Sequence, residues 1–412
     1  MKIAFYGNVC NNFYGICKVL KNYSTELSPY LYLSQNADLQ NLPESEDPEL
    51  LNNYPSWIKK DLKWDPLRLF TKFDTSFVKE LSKYDLVVLS GRAISMSPFI
   101  KTKTIFFVTG GDLTLSPFTN RQFEFNESFA RKVNKVIASF FQRRGIRKAS
   151  QIWTQPFFPF VNALNKLKIK NKKISKSYFP VPIDEVNITK TLNKPVAISD
   201  TDYEKIRNFK FIVFHPSRFM MNKSKVLYET GQWKNNGLLF YAFKEFITIN
   251  NIKDACIVLI KRSYSVDYPK AIALIKELHL EENIVWLNPK DKEGFTKNEL
   301  LFLYSIANVT VDDFGVGWFG SIVLESLSCS TPVISYVDEI VMQQLYPYHP
   351  ILSSNIKEEV ASFFKLLYND PTKNLEIGLA SRKWLVDFHG KINVGKSYFQ
   401  EITKLLKSET NF

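Results

Sequence analysis

Cysteine is scarce: Cys10, Cys17, Cys256 and Cys329 are the only four in 412 residues, and none has paired-ligand spacing. A disulfide framework is excluded, and a reducing cytoplasm suits the composition. Histidine is equally rare, with His215, His279, His349 and His389 scattered and no His/Asp/Glu cluster at metal-ligand spacing. No metal and no cofactor is expected. No apolar run approaches the roughly 18 residues that cross a bilayer, so an integral membrane protein is excluded. The opening Met1-Lys2-Ile3-Ala4-Phe5-Tyr6-Gly7 is too short an apolar stretch for a signal peptide and reads as a β-strand. Internal repeats and low-complexity tracts are lacking too.

What is present is globular: 45% hydrophobic residues, and 15% aromatic with 34 phenylalanines. The length suggests two domains, each with its own core. Charge is concentrated. Lys and Arg number 54 against 41 Asp and Glu, and 13 of the basic residues lie between Phe129 and Ile183, where no acid occurs. Without that segment the chain is neutral. The segment also holds Phe140, Phe141, Trp153, Phe157, Phe158 and Phe160. Val133, Val136, Ile137, Phe140 and Phe141 recur with helical spacing, which predicts an amphipathic helix with basic flanks. Arg143, Arg144, Arg147 and Lys148 are candidate membrane-facing residues, drawn to anionic lipid while the aromatics enter the headgroup layer. Nucleic acid suits the same charges, but nothing resembles a nucleic-acid module, and no such partner is expected. A solvated basic face over an ordinary core helix is the other reading.

Short apolar strands alternate with helical patterns, which predicts a parallel α/β architecture. In the first half the strands are Lys2–Tyr6, Tyr30–Leu33, Leu86–Leu89 and Thr104–Val108, with helices Ile16–Asn22 and Phe77–Leu81; Asn41–Pro66 reads as a long surface loop. A second start comes with strand Phe209–Phe214, helix Gly237–Ile249 and strand Ala255–Ile260. Helix Tyr268–Leu278, strand Ile284–Leu287, helix Asn298–Ile306 and strand Val309–Val311 follow, then helix Ser321–Ser328 and strand Pro332–Tyr336. That is one doubly wound sheet. Beyond Ser354 the chain reads as helical, including Leu375–Phe388 and Val394–Leu406. The expected division is 1–182 as an acceptor-side domain, 183–207 as linker, 208–385 as a ligand-binding domain, and 386–412 as a helix returning to the first.

The densest motif runs from Asp312-Asp313-Phe314-Gly315-Val316-Gly317 through Gly320-Ser321 to Glu325, and on to Thr331-Pro332-Val333-Ile334. A strand ends in acids, a glycine-rich turn follows, and a helix begins whose free N–H groups suit a diphosphate. Glu325, just over one turn in, is placed to accept hydrogen bonds from a ribose diol. The second motif is His215-Pro216-Ser217-Arg218 after a strand, then Trp233-Lys234-Asn235-Asn236 before a helix. Two cations on one loop can neutralise charge on a departing diphosphate. In the first half, Gly110-Gly111-Asp112 follows a strand, and Asn12–Gly15 lies between a strand and a helix.

These residues resemble the C-terminal nucleotide-sugar domain of GT-B glycosyltransferases, specifically the retaining enzymes of family 4. That family has an Arg after the first strand, a Lys before the next helix, and a Glu-x7-Glu segment running into a Gly-x-Pro-Val-Ile-like strand. The likeness covers Phe209–Tyr336, while the first half matches in architecture. It implies a GT-B fold: two Rossmann-like domains facing across a cleft, with C-terminal helices. It also implies that Arg218 and Lys234 hold the donor diphosphate as catalytic groups and that Gly320 and Ser321 give backbone contacts. Glu325 would bind the ribose, with Asn288 a further donor-side residue. Two positions depart from the family. Gly317 stands where the first Glu is usual, so Asp312 or Asp313 is the candidate replacement, and Ser330 stands in place of a Gly. Asp112 is the candidate on the loop that borders the reacting sugar in related enzymes.

The resemblance implies transfer of a sugar from a nucleotide diphosphate donor to a saccharide or lipid-linked saccharide acceptor, with retention and without a metal. Surface polysaccharide or lipopolysaccharide assembly on the inner membrane face is the setting expected. A nucleotide-sugar 2-epimerase of the same fold, or a non-catalytic sugar- or lipid-binding partner, stands as the alternative.

Overall fold

A computed structural model describes residues 1–34, 37–38, 41–51, 53–62, 75–122, 128–175, 193–289 and 294–407. The chain forms two compact units, one of Met1–Pro182 with His389–Phe412, the other of Ile183–Phe388. Part of the segment expected as linker, 183–192, lies outside the described residues, as do 63–66 of the expected loop.

The first unit runs β1 (Lys2–Tyr6), α1 (Asn12–Tyr23), β2 (Ser28–Ser34), β3 (Ile58–Leu62), α2 (Thr75–Leu81), β4 (Leu86–Ser90) and β5 (Lys103–Phe107). It continues with α3 (Gly111–Thr114), α4 (Phe129–Lys148), β6 (Gln151–Trp153) and α5 (Phe158–Lys166). Its sheet is parallel, in the order β3-β2-β1-β4-β5-β6. The central β4 is buried throughout, so it reads as an unbroken apolar run. Two strands escape that signal. β3 lies inside the stretch expected to be loop, and its Ile-Lys-Lys-Asp-Leu sequence is apolar only at its two ends. It is an edge strand, where lysines deter pairing with another chain, and Lys60 sits over the Tyr54 ring at 4.9 Å. β6, three residues at the other edge, is too short to read.

The second unit runs α6 (Asp200–Arg207), β7 (Phe211–His215), α7 (Lys225–Thr230), α8 (Gly237–Ile249), β8 (Ala255–Ile260), α9 (Tyr268–Glu277) and β9 (Ile284–Leu287). Next come α10 (Lys297–Ile306), β10 (Val309–Val311), α11 (Ser321–Ser328), β11 (Val333–Ile334), α12 (Glu339–Gln343), α13 (Lys357–Asn369) and α14 (Pro371–His389). Its sheet is parallel in the order β11-β10-β7-β8-β9. Alternation along β8 shows why helices cover both faces. Ala255, Ile257 and Leu259 join the core built with α8, α9 and α13, while Cys256, Val258 and Ile260 join that built with α6 and α10. Each such aliphatic side chain, fully buried, contributes about 1.5–3 kcal/mol.

The final helix, α15 (Lys391–Lys407), belongs to the first unit. Its Val394, Tyr398 and Ile402 are fully buried in the same cluster as Phe13 and Ile16 of α1. Gly395 lets the helix approach closely, since a Cβ there would stand 3.0 Å from the Tyr23 side chain.

α4 turns its apolar stripe outward. Val133, Val136 and Phe140 are exposed, unlike the core side of an ordinary core helix, and the buried residues are Ser139, Gln142, Gly145 and Ile146. Polar bonds explain it. Gln142 Nε2 donates to the carbonyls of Gly91 (3.0 Å) and Asp112 (2.9 Å), and Ser139 Oγ donates to Ser116 O (2.8 Å). A Cβ on Gly145 would lie 2.0 Å from Ile94 O, so the helix backbone packs directly on the segment after β4. Arg144, Arg147 and Lys148 are exposed and Arg143 is half-buried. Among the described residues no helix is long and apolar enough to cross a membrane.

Candidate functional site

In a parallel sheet the loops after each strand gather at one edge, and ligands favour the point where strand order reverses. In the second unit that point lies between β7 and β10. It is bridged twice. His215 Nδ1 lies 2.8 Å from Val311 O, and the Ser217 hydroxyl donates to Asp312 Oδ1. Since a carbonyl only accepts, Nδ1 carries the proton, and Nε2 accepts from Asn236 Nδ2 at 3.2 Å. Burial holds the His215 pKa down to about 4, so the ring is neutral.

Asn236 ties the loop after β7 to the start of α8. It is fully buried, donates to Arg218 O at 2.9 Å and accepts from Met220 N at 2.9 Å. Met220 O in turn accepts from Lys234 N and Asn235 N, both at 3.1 Å. Asn235 makes the turn with φ 51°, a left-handed value that Asn tolerates. Arg218 and Lys234 are therefore held on one knot of backbone.

Lys234 is not a free cation. Its Nζ lies 3.2 Å from Asp312 Oδ1 and 3.3 Å from Asp313 Oδ2. Burial opposes its charge, but the two carboxylates outweigh that and raise its pKa. Burial also works against ionised Asp312, yet Lys234 and the Ser217 hydroxyl hold its pKa below the ordinary carboxylate value. Asp313 is pushed up by burial, against Lys234 and with the charge of Asp312 adding to the rise. Its Oδ1 accepts from Gly315 N (2.7 Å) and Val316 N (3.3 Å), which shapes the glycine-rich turn. Gly315 has no alternative there: a Cβ would meet Trp233 O at 2.1 Å. Asp313 thus has both oxygens engaged inside the protein, and Asp312 has its Oδ1 engaged.

Gly320 and Ser321, at the mouth of α11, are exposed, and no side chain caps the helix. Nothing lies within 4 Å of a Cβ built on Gly320. Glu325 Oε2 accepts from the buried Tyr304 hydroxyl at 3.2 Å. Asn288 follows β9, the far edge strand, and is exposed. The structure does not join it to this cluster.

One residue was missed from sequence: Arg262, two positions after β8. Its Nε is buried with no hydrogen-bond partner. Burial lowers its pKa, and the charge of Arg218, which follows the adjacent strand β7, adds to the lowering. Among the described residues neither arginine has a carboxylate partner. Its signal in the sequence was position alone, a cation directly beyond a six-residue apolar strand.

The first unit has its own switch point, between β1 and β4. A cavity of about 230 Å³ opens there, lined by Gly7, Asn8, Tyr32, Asn41, Gly91 and Arg92 among others. Gly7 (φ 98°) is needed because a Cβ would lie 2.2 Å from Ser90 O. Cys10 and Asn11 follow with φ 49° and 60°, and the Nδ2 of buried Asn11 has no partner. The predicted Asn12–Gly15 segment is the first turn of α1. Asp112 faces inward: its carboxylate accepts from Thr109 N, Gly110 N (2.9 Å), Gly91 N (3.0 Å) and Thr109 Oγ1 (3.0 Å). Burial raises its pKa against those bonds. It clasps the loops after β4 and β5. Among the described residues no three His, Cys, Asp or Glu side chains group as a metal-ligand set.

No family model matches the sequence, and a search of curated proteins finds no significant match. Solved structures do match in fold. HepE from Anabaena, in complex with UDP and glucose, gives a TM-score of 0.63 at 15% identity, covering 98% of this chain and 100% of that one. Sucrose-phosphate synthase from Thermosynechococcus elongatus gives 0.60 at 14% identity, over 99% of this chain and 100% of the other. A glycosyltransferase from Rickettsia africae gives 0.59 at 14% identity, over 99% of each. The fold is that of these GT-B proteins, two parallel-sheet α/β units.

Proposed function

We propose that this chain is a glycosyltransferase that binds a nucleoside diphosphate sugar at the carboxyl edge of the second unit's sheet and transfers the sugar to an acceptor hydroxyl. One observation carries this reading. Arg218 after β7 and Arg262 after the neighbouring β8, two arginines without carboxylate partners among the described residues, stand at the same carboxyl edge of the sheet as Lys234 and the uncapped start of α11 after β10. The matching HepE structures hold UDP and UDP-glucose, which supports a uridine donor.

As the sugar C1–O bond breaks, its electron pair passes to the β-phosphate oxygen. Arg218, Arg262 and the α11 N–H groups stabilise that charge, and an arginine fork matches two phosphate oxygens. Lys234, already set between Asp312 and Asp313, keeps the loop in place and contributes its field. Glu325, oriented by Tyr304, accepts from the ribose hydroxyls. The acceptor oxygen attacks C1 and its proton leaves with the diphosphate; retention follows the family 4 resemblance. These cations perform the neutralisation without a metal. The amide-lined cavity of the first unit takes the acceptor, a saccharide or lipid-linked saccharide of surface polysaccharide or lipopolysaccharide assembly. Asp112 acts there as a positioning residue.

Thermal shift against UDP, GDP and ADP, followed by nucleoside diphosphate release with the matching sugar donor, tests the reading. The binding nucleotide raises the melting temperature of wild type. Arg218→Met and Arg262→Met each weaken it about tenfold or more, with the unliganded melting temperature kept. No nucleotide binding, or release that continues unchanged in both variants, refutes it. Isomerised nucleotide-sugar without acceptor transfer assigns an epimerase instead.

A further inference from the structure

The outward face of α4 carries Phe129, Val133, Val136 and Phe140, exposed by 81, 38, 46 and 51%. Steps of four, three and four residues place them in one stripe. By the same spacing Lys132 and Arg143 flank it on one side, Arg144 and Lys148 on the other, and Arg147 continues its line. Seven Lys or Arg residues and no acid lie on this helix. At about 1.5 Å per residue, its 20 residues extend roughly 30 Å.

The inward face is settled by Gln142, Ser139 and Gly145, so the apolar stripe is not spare core. A purely solvated face would not hold two phenylalanines and two valines in register. Nucleic acid would use the cations and stack on rings, but offers valines nothing. Lipid uses all of it: acyl chains take the stripe, and anionic headgroups meet cations on both flanks. Charge complementarity points the same way, since the rest of the chain is neutral once the acid-free segment is set aside.

We infer that α4 is an in-plane anchor that lays Phe129, Val133, Val136 and Phe140 into the surface of an anionic phospholipid bilayer. Arg144, Lys148 and Lys132 supply most of the attraction, because Arg143 and Arg147 each also give an N–H to a backbone carbonyl, Pro117 O at 2.7 Å and Leu167 O at 3.3 Å. The anchor stands independently of the transferase reading, for it needs no substrate.

Co-sedimentation of the full chain with vesicles tests it, comparing phosphatidylcholine alone with a mixture holding about 30% phosphatidylglycerol. The wild type is expected to bind the anionic vesicles and not the neutral ones. Phe129→Ser with Phe140→Ser should weaken binding about tenfold or more, and Arg144→Glu with Lys148→Glu about twentyfold or more. All four side chains are exposed, so melting temperatures should hold. Absence of binding to anionic vesicles overturns the inference. So does equal binding to both vesicles, or a serine variant that binds like wild type. A dimer of the wild type that the serine variant loses would assign the stripe to a second copy and also overturn it.

Discussion

Lys234→Met isolates the electrostatics of the second unit's edge. In the wild type one ammonium sits 3.2 and 3.3 Å from two buried carboxylates. Methionine keeps most of the volume and removes the charge, leaving Asp312 and Asp313 side by side with a serine hydroxyl and two N–H groups. Breaking a buried pair in this way costs about 3–5 kcal/mol. The sign with pH follows. Without the cation the folded pKa of the pair rises above the unfolded carboxylate value of about 3.9. Between those values the native state binds a proton that the unfolded chain has released, so variant stability falls as pH rises, by about 1.4 kcal/mol per unit. The defect is therefore largest near pH 8 and shrinks toward pH 5. Urea unfolding followed by tryptophan fluorescence measures it, and Trp233 adjoins the site. Adding Asp313→Asn, which removes one stranded charge, should restore much of the loss at pH 8. A defect under about 1 kcal/mol at pH 8, or one equal at pH 5 and pH 8, would refute the ion-pair account.

Two further outcomes are expected. His215, held to about 4 by burial against an ordinary 6.5, makes the folded state lose stability as pH falls from 6.5 toward 4, by at most about 3 kcal/mol, because only the unfolded chain takes the proton there. Urea titrations of His215→Asn should lack that slope, and an unchanged slope assigns it elsewhere. Ser330 stands at φ 59° with its hydroxyl buried and unpartnered, so Ser330→Gly should stabilise by about 1 kcal/mol, and a lower melting temperature contradicts this.

The second unit is legible in sequence because its strands are short apolar runs, whether buried throughout like β8 or at the edge like β9. Ala255–Ile260 and Ile284–Leu287 stand as short apolar runs between polar turns. The first unit hides its edges: β3 spends its middle on Lys59, Lys60 and Asp61, as edge strands do. α4 leaves its direction open for a different reason. Helical periodicity reports that apolar residues share a face, not which way that face looks. Gln142 and Ser139 decide the direction through bonds to Gly91, Asp112 and Ser116, partners distant in sequence that no local pattern encodes.

The candidate site was readable in part for a reason that also accounts for the missed arginine. Once a parallel strand is recognised, residues one to three positions beyond it must lie at the carboxyl edge, whatever their type. Ser217 and Arg218 after β7, Arg262 after β8, and Asp312 and Asp313 after β10 all satisfy this. Motif reading favoured Arg218 and Lys234, which stand beside proline, tryptophan and glycine cues, and passed over Lys261-Arg262, which resembles any surface pair. Strand order then separates members from bystanders. Asn288 also follows a strand directly, but β9 lies two places from β7 and three from β10, so it stands at the border of the sheet while the reversal point lies elsewhere. Edge position thus nominates a residue, and only the order of strands, which the sequence does not state, decides whether it meets the others.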